Sequence, residues 1–143
     1  MEFVVDTNVL YTFFWKKSLV RSLLMKMDLE LFSPEFALEE INKHESDILK
    51  KTGISKDEFK QVRSNLAIAV NFISVEEYEK FLKQASIISP DPNDADFFAL
   101  SIKLKLPIWS NDSLLKKQNK VNVFSTSDLL SKPEFFEAIF PDE

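Results

Sequence analysis

Four carboxylates stand in this sequence where a carboxylate is costly. Asp6 closes the apolar run Phe3-Val4-Val5, and Glu40 sits in the helix-like stretch after Ser33-Pro34. Asp94 opens the apolar segment led by Phe97-Phe98-Ala99-Leu100, and Asp112 follows Pro107-Ile108-Trp109-Ser110-Asn111. Burying an ionised carboxylate costs several kcal/mol unless it is paired or bound to a metal. No lysine or arginine is interleaved at these points. Gathered in one pocket, the four cannot all stay ionised, because like charges raise one another's pKa. A hard divalent ion with oxygen ligands resolves that conflict, and Mg²⁺ or Mn²⁺ suits carboxylate-plus-water coordination. The chemistry pointed to is that of a carboxylate-held metal centre.

Each acid also has a plainer reading. Asp6 can cap the helix that follows it, Glu40 can pair with Lys43, and Asp112 can cap a short turn over Ser113–Lys117. Asp94 can be an N-cap, with Asp91 either a turn residue before Pro92 or the third acid in its place. Helical phasing separates neighbours. With Ala37 at zero and about 100° per residue, Ile41, His44 and Ile48 fall within about 40° and form a buried stripe. Glu39 then lands near ~200°, in solvent, and Glu40 near about −60°, on the border of the stripe. Asp96 lies roughly 200° from Asp94 and shares the polar face with Lys103.

The elements that position these acids follow from periodicity and punctuation. Short apolar strands are expected at Phe3–Val5, Leu29–Ser33, Asn71–Ser74, Pro107–Trp109 and Val121–Phe124. Helices are expected from near Asn8, from Pro34 to about Lys51, over Ser55–Val70, Val75–Ile88 and Pro92–Lys105, and from Ser125 to the tail. Ser55-Lys56-Asp57-Glu58 reads as a capping box, and Lys50–Ser55, around the single glycine Gly53, is where a flexible joint is expected. Strands alternating with helices imply an α/β fold. The expected form is a three-layer α/β/α sandwich around a central, mostly parallel sheet of four or five strands. In such a sheet ligands sit beyond the carboxyl ends of the strands, where Asp6 and Asp112 fall.

Composition narrows the function classes. At 143 residues, 45% hydrophobic with 14 phenylalanines, the chain is expected to form one domain, 1–143, with a large aromatic core. No cysteine is present, which excludes disulfides and thiolate metal sites. One histidine and no G-x-S-x-G turn argue against a Ser-His-Asp hydrolase, and one glycine excludes a phosphate-cradling glycine loop. His44 itself is expected to pack in the core. No apolar run is long enough for a membrane span, so a cytoplasmic location without a membrane partner is expected. A net charge of −5 does not advertise a nucleic-acid binder, yet a carboxylate site is acidic until it binds cations.

Asp6-Thr7-Asn8 after a strand, Glu40 after Ser33-Pro34, Asp94 opening an apolar helix, and Ser110-Asn111-Asp112 after a strand together resemble the four acidic blocks of PIN-domain nucleases. The 18-residue interval between Asp94 and Asp112 fits the same pattern. Two departures stand out. Lys103-Leu104-Lys105-Leu106 replaces the small residue usual in the helix-to-strand turn, and bulky Trp109 adjoins the last block.

The resemblance implies a metal-dependent endoribonuclease. Asp6, Glu40 and Asp94 would hold the principal Mg²⁺ or Mn²⁺, with Asp112 completing a pocket for one or two ions and Asn8 or Ser110 orienting the carboxylates. Toxin of a toxin–antitoxin pair, RNA-processing factor and stand-alone nuclease share these residues. The expected partners are accordingly single-stranded RNA, an antitoxin in the first case, and a second copy of the chain. Lys116, Lys117 and Lys120 follow Asp112 and are candidates for RNA backbone contacts. Tyr11-Phe13-Phe14-Trp15 and the segment Pro133–Phe140 divide between core and a self-association face. Two other readings stand beside this one. One is a catalytically idle PIN-like binding module. The other is a different α/β metal-dependent phosphohydrolase, which generally wants an acid where Asn8 stands.

Overall fold

Phe3, Val4 and Val5 are all buried. Successive strand side chains point to opposite faces, so strand β1 (Glu2–Val5) is covered on both sides. The computed structural model describes residues 1–140. In it β1 joins β2 (Glu30–Pro34), β3 (Val70–Ile73), β4 (Ile108–Trp109) and β5 (Val123–Phe124) in one five-stranded sheet of order β3-β2-β1-β4-β5. Every pairing is parallel. The α/β sandwich expected from the sequence is therefore present, with a wholly parallel sheet. From β1 the chain steps outward to β2 and β3, then crosses back to β4 and β5. The strand order reverses between β1 and β4, which is where open parallel sheets hold ligands.

The helices explain their own limits. After β1 come α1 (Thr7–Tyr11), a 3-10 turn over Thr12–Phe14, and α2 (Leu19–Lys26), capped by the Ser18 side chain. The expected helix from Pro34 to about Lys51 is two helices, α3 (Glu35–Lys43) and α4 (Glu45–Thr52). They break at His44, whose backbone (φ −100°, ψ 20°) leaves the helical range. Charge marks the break: Lys43 ends α3, and Glu45 and Asp47 open α4, each stabilising the helix dipole at its own end. Gly53 then takes the left-handed conformation that terminates α4.

Helix α5 (Lys56–Ala69) opens with the expected capping box. The expected helix over Val75–Ile88 is interrupted: α6 (Val75–Tyr78), a 3-10 turn, then α7 (Leu82–Ile88). Helix α8 (Ala95–Leu104), with six of its ten residues buried, packs against β1, β2 and β4. The chain then runs through α9 (Thr126–Leu130) and α10 (Pro133–Ile139), separated just before Pro133, with α10 lying on α2. Among the described residues no helix is long and apolar enough to cross a membrane.

The turn from α8 into β4 carries a cost. Lys105 has φ 58°, ψ 44°, the left-handed region that a Cβ disfavours. Glycine is the residue this position suits, so Lys105→Gly should raise stability by about 0.5–1 kcal/mol, measured as a higher denaturant midpoint at unchanged slope. Its side chain is exposed, so little packing is lost.

The aromatic residues divide as their positions dictate. Phe13 and Phe14 are core, with Phe14 stacked on Phe59 at 4.9 Å. Phe3 meets Trp109 edge-on at 5.9 Å. Trp15, Phe136 and Phe140 are exposed.

Candidate functional site

Asp6 ends β1, and its own amide donates to the Trp109 carbonyl, so the carboxyl ends of β1 and β4 are locked side by side. Its side chain is almost fully buried. One oxygen, Oδ1, accepts from the Thr7 amide at 2.7 Å. The other, Oδ2, accepts from the Ser110 hydroxyl at 2.6 Å and from Asn8 Nδ2 at 3.0 Å. The Ser110 oxygen in turn accepts from the Asp112 amide at 3.1 Å and from Asn8 Nδ2 at 3.3 Å. Asn8 Oδ1 accepts from the Asn111 amide at 3.2 Å. Ser33 supports this edge from the other side, its buried hydroxyl donating to the Val5 carbonyl at 2.9 Å.

Asp112 accepts from the Leu114 amide at 3.0 Å and so caps the 3-10 turn over Ser113–Lys116. Asp94 stands at the N-cap position of α8, yet its side chain makes no capping hydrogen bond. Asp91 does the local work instead, accepting from the Asn93 amide at 2.9 Å at the start of the preceding 3-10 turn. Asp96 is engaged elsewhere, as acceptor of the buried Tyr78 hydroxyl at 2.6 Å. The Asp94 carboxylate is thus left over from both explanations that a helix start offers.

The electrostatics tie three acids together. Burial pushes the Asp6 carboxyl above its usual range, opposed by the Ser110 hydroxyl and Thr7 amide and aided by the charge of Asp112. Asp94 is pushed up to about 6, by burial first and then by the charges of Asp6, Asp91 and Asp112. No cation contributes to either shift. Asp6, Asp94 and Asp112 therefore feel one another across the reversal point of the sheet. They stand apart all the same: among the described residues no three acidic or histidine side chains are close enough to hold an ion as they lie.

Glu40 is placed differently. Glu39 is exposed and Glu40 half-buried. Its carboxylate lies 3.3 Å from His44 Nε2, and its charge is felt by the Tyr11 hydroxyl rather than by the aspartates. His44 is not the core residue expected, because the helix break turns its side chain outward to 42% exposure. The three lysines scatter. Lys116 is paired to Asp128, Lys117 is exposed, and Lys120 lines a cavity with Lys105 and Pro107 at the opposite, amino edge of the sheet. Asn111 and Thr126 were not foreseen as site residues. Asn111 Oδ1 accepts from the Thr126 amide at 2.8 Å, and the Thr126 hydroxyl from Trp109 Nε1 at 3.0 Å. The polar run Ser110-Asn111-Asp112 was the available signal for the first; nothing local marks the second.

The pushed-up Asp94 has a stability consequence with a definite sign. A raised folded-state pKa means the folded chain binds its proton more tightly than the unfolded one. The resulting stabilisation is fully present below the unfolded value near 3.8 and is lost as pH rises through about 6. In EDTA, Asp94→Asn should remove that slope and raise the melting temperature at pH 7.5 by a few degrees, with little change near pH 4, as read by thermal melts across that range.

A family model described as a PIN domain matches residues 4–124, a span that runs from the second half of β1 to the end of β5 and includes all four of these acids. No curated protein matches the chain.

Proposed function

This chain belongs to the PIN-domain family, whose members are generally nucleases, and from that premise we propose that it is a metal-dependent endoribonuclease. What supports the reading is that Asp6, Asp94 and Asp112 feel one another's charge at the carboxyl edge of the sheet, still too far apart to grip an ion as they lie, with no cation among the causes of their shifts and Asp94 unused as a cap. The donor set fits a hard divalent ion: oxygen only, anionic, mutually repelled, and partly buried. Asp6, Asp94 and Asp112 are assigned to hold one or two Mg²⁺ or Mn²⁺ ions. Glu40, freed from His44, is the fourth carboxylate.

Once bound, a divalent ion supplies charge stabilisation at the phosphoryl oxygens and lowers the pKa of the attacking water. The chain's own residues do the rest. The Thr7 amide donates to Asp6 Oδ1, and the Ser110 hydroxyl and Asn8 Nδ2 donate to Oδ2, which holds both oxygens in fixed directions and leaves Oδ1 a lone pair for coordination. Asn8 fixes the spacing between Asp6 and the Ser110–Asp112 turn by bonding to both. Lys117, exposed just past Asp112, is available to an RNA phosphate.

The decisive experiment is cleavage of single-stranded RNA by the purified chain with Mn²⁺ or Mg²⁺, and its loss in EDTA. Millimolar divalent ion should also raise the melting temperature, since it binds the folded centre and not the unfolded chain. Glu40→Gln should reduce cleavage far more than Glu39→Gln. A melting temperature indifferent to both ions, with no cleavage, would replace the nuclease by an idle binding module. Whether such a nuclease serves as a toxin or in RNA processing turns on its partner, and co-expression with a neighbouring antitoxin that blocks cleavage would decide for the toxin.

A further inference from the structure

Two cavities flank the acidic centre and share one indole. The larger, about 510 Å³, is lined by Asn8, Tyr11, Trp15, His44 and Lys51 among others. The smaller, about 270 Å³, is lined by Trp15, Lys17, Leu19, Asn111 and Thr126 among others. Asn8 and Asn111 join both cavities to the centre, since Asn8 donates to Asp6 and Asn111 donates to Asn8. Trp15 is 46% exposed, whereas Trp109 is wholly buried. An indole left open beside a site is a surface with a large apolar area to cover.

The surroundings of Trp15 indicate what covers it. A face made for a second copy of the chain would be continuous and apolar. Here the apolar lining from Tyr11, Ile48 and Leu19 is interrupted around the indole by Asn8, His44 and Lys17, groups that suit base edges and phosphates. In a chain of net charge −5, each cavity nonetheless carries an exposed lysine, Lys51 in one and Lys17 in the other. Among the described residues lining them the single acid is Asp47, whose Oδ2 lies 3.8 Å from His44 Nδ1.

We propose that Trp15 is the stacking platform for a nucleobase of single-stranded RNA that crosses the acidic centre, with Lys51 and Lys17 meeting its phosphates on either side. The proposal rests on the nuclease reading above and adds to it the path of the single strand and the residues that hold it. A duplex keeps its bases stacked on one another, whereas an unpaired base has a free face for an aromatic side chain.

The test uses the full chain carrying Asp6→Asn, with Mg²⁺ and a short unstructured oligoribonucleotide. Binding should quench the emission of the exposed indole, and the quench should vanish in Trp15→Phe, where only buried Trp109 remains. Trp15→Ala should weaken binding about tenfold or more, while Trp15→Phe retains most of it because a ring is kept. Lys17→Ala combined with Lys51→Ala should flatten the slope of log affinity against log salt by about 1.4, the value for two phosphates on a single strand. Unchanged affinity in Trp15→Ala overturns the proposal, as does a change in sedimentation without a change in RNA binding, which would mark a face for a second copy. If Trp15→Ala does not fold, the quench and its loss in Trp15→Phe decide alone. Metal-dependent cleavage by the wild type alongside unchanged Trp15→Ala binding sinks the platform and leaves the nuclease standing; a wild type that neither binds nor cleaves sinks both.

Discussion

Replacing Asp6 by asparagine should abolish Mn²⁺-dependent RNA cleavage while leaving the chain folded. Asp6 is the most buried of the four acids, and three donors converge on it: the Thr7 amide, the Ser110 hydroxyl and Asn8 Nδ2. Asparagine has the same shape but only one acceptor atom, so at least one of these donors faces an NH₂ group. That mismatch costs about 1–3 kcal/mol. Two gains offset it. The neutral side chain carries no desolvation penalty for charge, and it no longer repels Asp94 and Asp112. Stability should therefore change little, and thermal melts should show one cooperative transition near that of the wild type. Activity has no such compensation. Losing only a hydrogen-bond partner of a metal ligand already costs about 10–100-fold, and losing an anionic ligand should exceed that range. Initial cleavage rates on single-stranded RNA read the effect, and an undiminished rate in the folded variant removes Asp6 from the chemistry.

The largest effect on stability should come from Trp109→Ala, a loss of about 3–5 kcal/mol against a total that is commonly about 5–15. Trp109 is wholly buried in a strand of two residues. It meets Phe3 edge-on at 5.9 Å, and its indole N–H donates to the Thr126 hydroxyl at 3.0 Å. Truncation opens a cavity between β1 and the C-terminal helices and leaves the Thr126 hydroxyl without its donor. The urea midpoint should fall accordingly. Trp109→Phe should cost less, since it keeps most of the ring volume and loses the hydrogen bond. A midpoint unchanged in Trp109→Ala would mean that the packing of β4 contributes far less than its burial implies.

Much of this arrangement was legible in the sequence because it is governed by neighbours along the chain. The five strands announce themselves as short apolar runs, and Ser55 with Glu58 announces its helix by local hydrogen bonding. The capping question at Asp94 was posed by the sequence and answered only in three dimensions, where Asp91 takes the turn. Features governed by distance were invisible. Lys116 finds Asp128 twelve residues on, and Lys120 follows Asp112 closely in sequence yet lies on the far edge of the sheet, because β5 runs parallel to β4 and must start there. Helical phasing put Glu40 at the border of its stripe, and it is half-buried there, but its carboxylate meets His44 instead of reaching inward beside the sheet. The phasing misplaced His44, because it assumed an unbroken helix where the charge reversal from Lys43 to Glu45 marks a new beginning.

The hydroxyl of Ser110 touches Asp6, Asn8 and the backbone of Asp112 at once. Two strand ends therefore share a single pivot, and the inner arrangement is rigid before any ligand arrives. For the proposed nuclease such a part is reusable: mutations could reshape the outer walls, swapping rings and lysines to favour one sequence of bases over another, without retuning the hub on which cleavage would depend. Divergence of preference and constancy of mechanism are then independent.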